Sequence, residues 1–130
     1  GSSAASDVYK RQKLGLSICY DLRFPNLYRK LSKAGSLFLS IPSAFTETTG
    51  KKHWHSLLKA RAIENFSYVF APAQGGFHYN GRRTFGHSMI VSPEGKILKE
   101  LKKTEGVITV LIDEKLPKRL RKIIPSLRSD

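Results

Sequence analysis

The sequence is poor in cysteine, methionine and tryptophan, with one of each in 130 residues. A single thiol cannot close an internal disulfide or supply a cysteine-rich zinc site, which places the chain in a reducing compartment, the cytoplasm. Acidic residues are scarce too, 10 Asp and Glu against 23 Lys and Arg, for a net charge of +13. No apolar run approaches the roughly 20 residues of a membrane helix, and the first dozen residues lack the apolar core of a signal peptide, so no membrane partner is expected. The basic excess invites a nucleic-acid reading. However, eight of the basic residues fall in the last 29 (Lys102, Lys103, Lys115, Lys118, Arg119, Arg121, Lys122 and Arg128), with no aromatic residue among them. The stacking platforms of single-strand binders are therefore missing, as are zinc-finger, RNP-like and GXXG patterns. The charge reads as a solvated face, and no nucleic-acid partner is expected.

What is present has the pattern of a layered α/β protein. "KLGLSICY" (13–20), "SLFLSIPS" (36–43) and "SYVFAPAQ" (67–74) are short apolar runs that read as buried strands. Between them lie "NLYRKLSKAG", with Asn26 as N-cap and Gly35 as stop, and "HWHSLLKARAIENF" (53–66), whose Trp54, Leu57, Leu58 and Ala62 recur at helical spacing. That stripe reads as core or subunit interface. "GGFHYNGRRTFG" reads as a glycine-rich basic loop. "HSMIVSPEGKILKEL" reads as a hairpin around Pro93-Glu94-Gly95, "GVITVLID" (106–113) as a further strand, and "EKLPKRLRKIIPSL" as an amphipathic helix and tail. The order βαβαβ followed by antiparallel strands predicts a sheet with helices on one side. Its other side then calls for a second sheet or a second subunit. The small polar "GSSAAS" and adapter-like "DVYKRQ" mark residues 1–12 as expected linker or adapter-derived sequence.

The question of chemistry falls on "LSICYDLRFP" (16–25). Free cysteines are commonly small core hydrophobes. Cys19, though, ends a strand and precedes a tight polar turn, where α/β folds expose reactive groups, and Arg23 nearby favours a thiolate. Arg82 and Arg83 in "HYNGRRTFGH" are either a solvated loop or a forked pair for a carboxylate. Asp21 and Arg23 are either a local surface pair or supports of the turn. Of the four histidines, His53 and His55 lack the i, i+4 spacing of a helical metal pair, so no metal and no cofactor is expected. A papain-like pairing of Cys19 with His87 stays open on the residues alone.

"GLSICYDLRFPNLYRKL" resembles the nucleophile segment of the nitrilase superfamily of carbon–nitrogen hydrolases. "PSAFTETTGKKHWHSLLKARAIEN", "APAQGGFHYNGRRTFGHSMIVSPEGKIL" and "VLIDEKLPKRLRKIIPSL" resemble the segments that follow in that family, in its order. Within the superfamily, "TGKKHWHSLLKARAIEN" and "GRRTFGHSMIVSPEG" look closest to the branch of deaminated glutathione amidases. The resemblance implies that residues 13–130 are the C-terminal portion of the family's α-β-β-α sandwich. It implies an amidase in which Cys19 attacks an amide carbonyl, the Tyr20 backbone N–H holds the oxyanion, and Asp21 and Arg23 support the turn. No catalytic histidine is needed. The implied substrate is a small carboxylated amide such as deaminated glutathione, held by Arg82 and Arg83; the alternatives are ω-amidase action on α-keto acid amides, or a non-catalytic basic fragment that binds anions. The full-length protein is expected to form a homodimer or larger homo-oligomer. The family's catalytic glutamate and lysine precede the cysteine and have no match here, so the fragment itself is expected to be inactive. Asn26 departs from the glutamate often found after the family's proline.

Overall fold

The computed structural model describes residues 5–9 and 12–130. Of the stretch 1–12 expected to be linker or adapter-derived, residues 1–4, 10 and 11 lie outside the described residues. Ala5–Tyr9 forms strand β1, antiparallel to β2 (Gln12–Leu16). A 3₁₀ turn (Cys19–Arg23) and helix α1 (Pro25–Lys33) follow, then β3 (Phe38–Ser40), helix α2 (Glu47–Asn65), β4 (Tyr68–Ala71), β5 (Gly75–Phe77), β6 (Arg83–Phe85), β7 (Met89–Val91) and β8 (Ile97–Glu100). Helices α3 (Leu116–Ile123) and α4 (Ser126–Ser129) complete the chain. The main sheet has the order β1-β2-β3-β4-β7-β8. Its centre is parallel, with Gly15 beside Leu39 and Leu39 beside Val69, while β7 and β8 add antiparallel neighbours.

The two helices between parallel strands cover one face of this sheet. Side chains alternate across a strand, so Leu39, Val69, Ala71, Met89 and Val91 point into the main core, where they meet Tyr28 and Leu31 of α1 and Trp54, Leu58 and Ala62 of α2. The Trp54 stripe is thus core. Gly15 permits the close approach of α1: a Cβ there would sit 3.0 Å from Leu39 Cδ2 and 3.1 Å from Leu31 Cδ1. On the other face Phe38 stacks on Tyr68 at 5.8 Å between ring centres, with Leu14, Phe70, Leu98 and Leu116 around them.

Local chemistry shifts several boundaries. Asn26 is not the N-cap of α1; Pro25 takes the first helical position, where its fixed φ suits the helix and its missing N–H costs nothing, and Phe24 precedes it. Gly35, at φ +105°, ends that helix as expected. Helix α2 starts at Glu47 rather than 53, because Thr46 caps it by accepting from the Thr49 N–H. The "GGFHYNGRRTFG" stretch is not all loop: β5 and β6 pair across a tip at 78–82. The 106–113 stretch alternates half-buried Ile108 and Val110 with exposed Val107 and Leu111, as a strand would, but joins no ladder among the described residues. Its anchor is Asp113, whose backbone N–H donates to Tyr68 Oη at 3.0 Å. Strand identity needs a partner's hydrogen bonds as well as alternation.

Candidate active site

Strands β2, β3 and β4 run parallel, and their C-terminal ends converge on one pocket, the usual ligand position of an α/β sheet. Its lining is Ile18 and Cys19 after β2, Pro42, Ser43 and Ala44 after β3, and Pro72, Ala73 and Gln74 after β4, closed by Ser88, with a volume of about 490 Å³. The walls are held by main chain. The Ser43 N–H donates to Pro72 O at 2.9 Å and the Gln74 N–H to Ser43 O at 3.0 Å. Ser88 Oγ accepts from the Ala73 N–H at 2.7 Å and donates to Ala73 O at 3.2 Å, clamping the same residue from the opposite side.

Cys19 enters this pocket from a strained backbone. Its φ of +47° is left-handed, which costs a non-glycine residue on the order of 1–3 kcal/mol and persists only where the surroundings impose it. The restraints are explicit. The Cys19 N–H donates to Pro42 O at 2.8 Å, fixing the turn to β3. Asp21, only 5% exposed, accepts the Ile18 N–H on Oδ2 at 3.0 Å, while its own N–H donates to Ile18 O at 3.0 Å. Beneath the turn, Ser17 Oγ bonds Ser40 O at 3.0 Å and Tyr28 Oη at 2.8 Å. Burial pushes the Tyr28 phenol up to about 12, so it remains a neutral hydrogen-bonding prop. The Tyr20 N–H lies in the first turn of the 3₁₀ segment, where no intrahelical acceptor exists, and has no protein acceptor among the described residues.

The other expected site residues stand further out. Asp21 and Arg23 do not line the pocket. Arg23 turns away to lie over the Phe45 ring at 5.1 Å and the Tyr20 ring at 5.8 Å, with Nη1 3.2 Å from His53 Nδ1. Arg82 and Arg83 line a separate cavity of about 620 Å³ with Thr46, Glu47, Thr48, Lys51, Lys52 and Gly81. One contact runs from this cavity toward the other: Arg82 Nη2 donates, at 3.5 Å, to the carbonyl of Ala44, which walls the cysteine pocket. In the basic cavity, the hydrogen bond from Lys103 Nζ at 2.6 Å holds the Glu47 carboxyl below its usual range. His87 does not line the cysteine pocket; its Nδ1 is taken by Glu100 Oε2.

Ser43, Gln74 and Ser88 are pocket residues that sequence reasoning missed. A signal existed for the first two, since each follows the apolar run of a parallel strand, where ligand-facing residues collect. Ser88 had none, because only the β4–β7 pairing brings it over Ala73.

The family model for carbon–nitrogen hydrolases matches residues 2–122, and the chain belongs to that family. It is 53% identical over 115 residues to a deaminated glutathione amidase of Synechocystis sp., an alignment covering 88% of this chain and 42% of that protein. The chain therefore spans less than half the length of that relative. Among solved structures, a Saccharomyces cerevisiae member of branch 10 of the nitrilase superfamily superposes with a TM-score of 0.88 at 34% identity, over 96% of this chain and 46% of the yeast chain. A variant of the amidase from Nesterenkonia sp. AN1, with the acetamide moiety of fluoroacetamide added covalently at its active-site cysteine, superposes with a TM-score of 0.72 at 27% identity. That match covers 82% of this chain and 40% of the amidase. The mixed α/β architecture is that of the nitrilase superfamily.

Proposed function

We propose that Cys19 is the nucleophile of an amidase acting on a small carboxylated amide, of the deaminated glutathione type. The observation that carries this is the strained left-handed backbone of Cys19 at the mouth of a pocket formed by three parallel strand ends. The Cys19 sulfur attacks the amide carbon, and the π electrons move onto oxygen, which accepts from the Tyr20 N–H, a donor with no protein acceptor among the described residues. Collapse of that intermediate expels ammonia, with a proton delivered to nitrogen, and leaves a thioester. Water then adds to the thioester carbon, the sulfur departs, and the carboxylic acid is released. Asp21 and Arg23 act on the turn rather than on substrate: the first fixes Ile18, the second packs against Phe45.

Arg82, through its reach toward Ala44, offers the substrate carboxylate a charge-assisted partner at the rim, and Arg83 adds to the positive field there. The resemblance assigns the activating base and a lysine to segments ahead of the cysteine, so residues 1–130 alone should turn over far more slowly than the full-length enzyme. The latter is expected to associate as a homodimer or larger assembly. No helix among the described residues is long and apolar enough to cross a membrane, and the lone thiol favours the cytoplasm. The test is direct: a full-length protein containing this chain is assayed for ammonia release from deaminated glutathione and from an α-keto acid amide. Faster turnover of the latter would select the ω-amidase reading. The basic cavity favours a second reading, an anion-binding module, which predicts anion binding and no ammonia release.

A further inference from the structure

Three side chains that play no part in the cysteine pocket converge elsewhere. His55 lies on α2, His87 follows β6, and Glu100 ends β8. His55 Nε2 is 2.7 Å and His87 Nδ1 2.6 Å from the same oxygen, Glu100 Oε2. All three ligand-type atoms lie within 4.8 Å of one another. In a chain with 23 Lys and Arg, the ion-pair partners of Glu100 among the described residues are these two imidazoles.

The rings are held before any ligand arrives. His87 stacks on Phe85 at 4.0 Å and 19°, and His55 meets the same ring edge-on at 5.8 Å and 80°. The His87 backbone is pinned in a left-handed conformation, φ +61°; its N–H donates to Lys102 O at 2.6 Å and its carbonyl accepts from buried Trp54 Nε1 at 2.9 Å. Non-glycine strain of this kind gathers at sites where a side chain must be aimed.

We propose that His55 Nε2, His87 Nδ1 and Glu100 Oε2 form a binding site for a first-row divalent cation, with Zn²⁺ the best match. Two imidazoles and one carboxylate, with a fourth position open to water, is a donor set that zinc accepts, whereas calcium and magnesium favour all-oxygen shells. Tetrahedral bonds of about 2.0–2.2 Å set ligand atoms roughly 3.3 Å apart, so the Glu100 oxygen must withdraw by about 0.6 Å from each nitrogen, and the two nitrogens, within 4.8 Å of each other, must settle to the same spacing. Its side chain, 26% exposed at a strand end, has room to do so. The cation takes the place of the imidazole protons that now face the carboxylate. In a neutral ring that proton moves to His55 Nδ1 or His87 Nε2; an imidazolium releases one to solvent. A bound cation would tie α2 to the β7–β8 hairpin and to Ser88, the neighbour of His87 that closes the cysteine pocket.

The probe is Co²⁺, titrated into the 130-residue chain and read by its visible ligand-field absorption. The expected result is one tetrahedral-type site per chain, with the band erased by Zn²⁺. His55→Ala and His87→Asn should remove it, the latter chosen because asparagine tolerates a positive φ. Glu100→Gln should weaken binding by at least about tenfold. His53→Ala, outside the cluster, should leave the band intact, and circular dichroism should show each variant folded. Absence of a tetrahedral band in the parent chain overturns the proposal. So does a band of undiminished intensity in folded His87→Asn, or one lost with His53→Ala alone.

Discussion

The turn of Cys19 and the loop at 78–83 both carry residues of the proposed chemistry, yet they are built by opposite means. In the turn, a short polar segment is nailed down: Cys19 to Pro42, Asp21 to Ile18, and Ser17 to Ser40 and Tyr28. In the loop, Tyr79 is fully exposed, glycine supplies a φ of +83° at position 81, and the Arg82 side chain makes one long hydrogen bond, 3.5 Å to Ala44 O. A nucleophile must meet a carbonyl carbon within a few tenths of an ångström, so its backbone strain has to be opposed from several sides. A cation that attracts a carboxylate at the rim tolerates mobility, because charge acts over distance and the guanidinium can reorient. The lesson is that the restraints of this fold are concentrated around the proposed nucleophile, and that mutations in the two places should fail differently.

The largest effect should come from the centre of the rigid turn. In the full-length protein, Cys19→Ala removes the only thiol of this chain and should lower kcat by at least about 10³-fold. Alanine at φ +47° has little more strain than cysteine, so the melting temperature should change by only a few degrees. Retention of most of the turnover would break the assignment of nucleophile.

Next is the clamp. Asp21→Ala removes a buried carboxylate from the Ile18 N–H, a charge-assisted hydrogen bond worth about 1.5–3 kcal/mol, and releases the strained residue between them. Stability should fall by that amount and kcat should fall more than KM rises, since the thiol loses its position. Asp21→Asn keeps an acceptor oxygen and should recover part of both. Equal losses for the two variants would mean that the charge matters and the placement does not.

How much of this could be read from the residues differs between the same two regions. The turn was legible because its parts are adjacent: apolar run, thiol, polar turn and Pro25 occur within ten residues, and local sequence encodes local geometry. The βαβαβ order and the helix-covered face were legible for the same reason, through periodicity. The basic loop was legible only as composition. Its pairing as β5 and β6, and its opening onto Thr46–Lys52 rather than onto Cys19, depend on Gly50, where a Cβ would stand 2.4 Å from that of Phe85. That contact lets α2 lie against β6, and nothing near either residue in sequence announces it. The His55–His87–Glu100 cluster is a stronger case, assembled across 45 residues, so its absence from histidine spacing was inevitable. The 106–113 stretch shows the limit from the other side: alternation was present, and the ladder was not.

An intermediate effect is expected at the rim. Arg82→Ala should raise KM for a carboxylated amide roughly 10- to 100-fold, the equivalent of about 1.5–3 kcal/mol for a lost charge-assisted contact. KM for a neutral amide of similar size should be nearly unchanged, and stability should stay within about 0.5 kcal/mol, because the Ala44 contact is long and exposed. Parallel losses with both amides would move Arg82 from recognition to structure and dissolve the contrast between loop and turn.

The smallest effect should come from Gly81→Ala, and it probes the loop's tolerance alone. A Cβ at Gly81 meets no heavy atom within 4 Å, so no packing is disturbed. What remains is the backbone: at φ +83° an alanine is strained by about 1–2 kcal/mol. Against this stands the loss of glycine's freedom in the unfolded chain, which favours the variant by about 0.4–1 kcal/mol. The net cost should be about 1 kcal/mol or less, a shift of a few degrees in melting temperature. The Gly81 N–H closes the loop onto His78 O at 2.9 Å, so strain there will loosen the tip before it reaches β6. Alkylation of Cys19 by iodoacetamide should therefore proceed at the parent rate, while in Asp21→Ala it should change severalfold. If Gly81→Ala altered the alkylation rate as much as the clamp variant does, the loop and the turn would be one mechanical unit, and the division drawn between them would not stand.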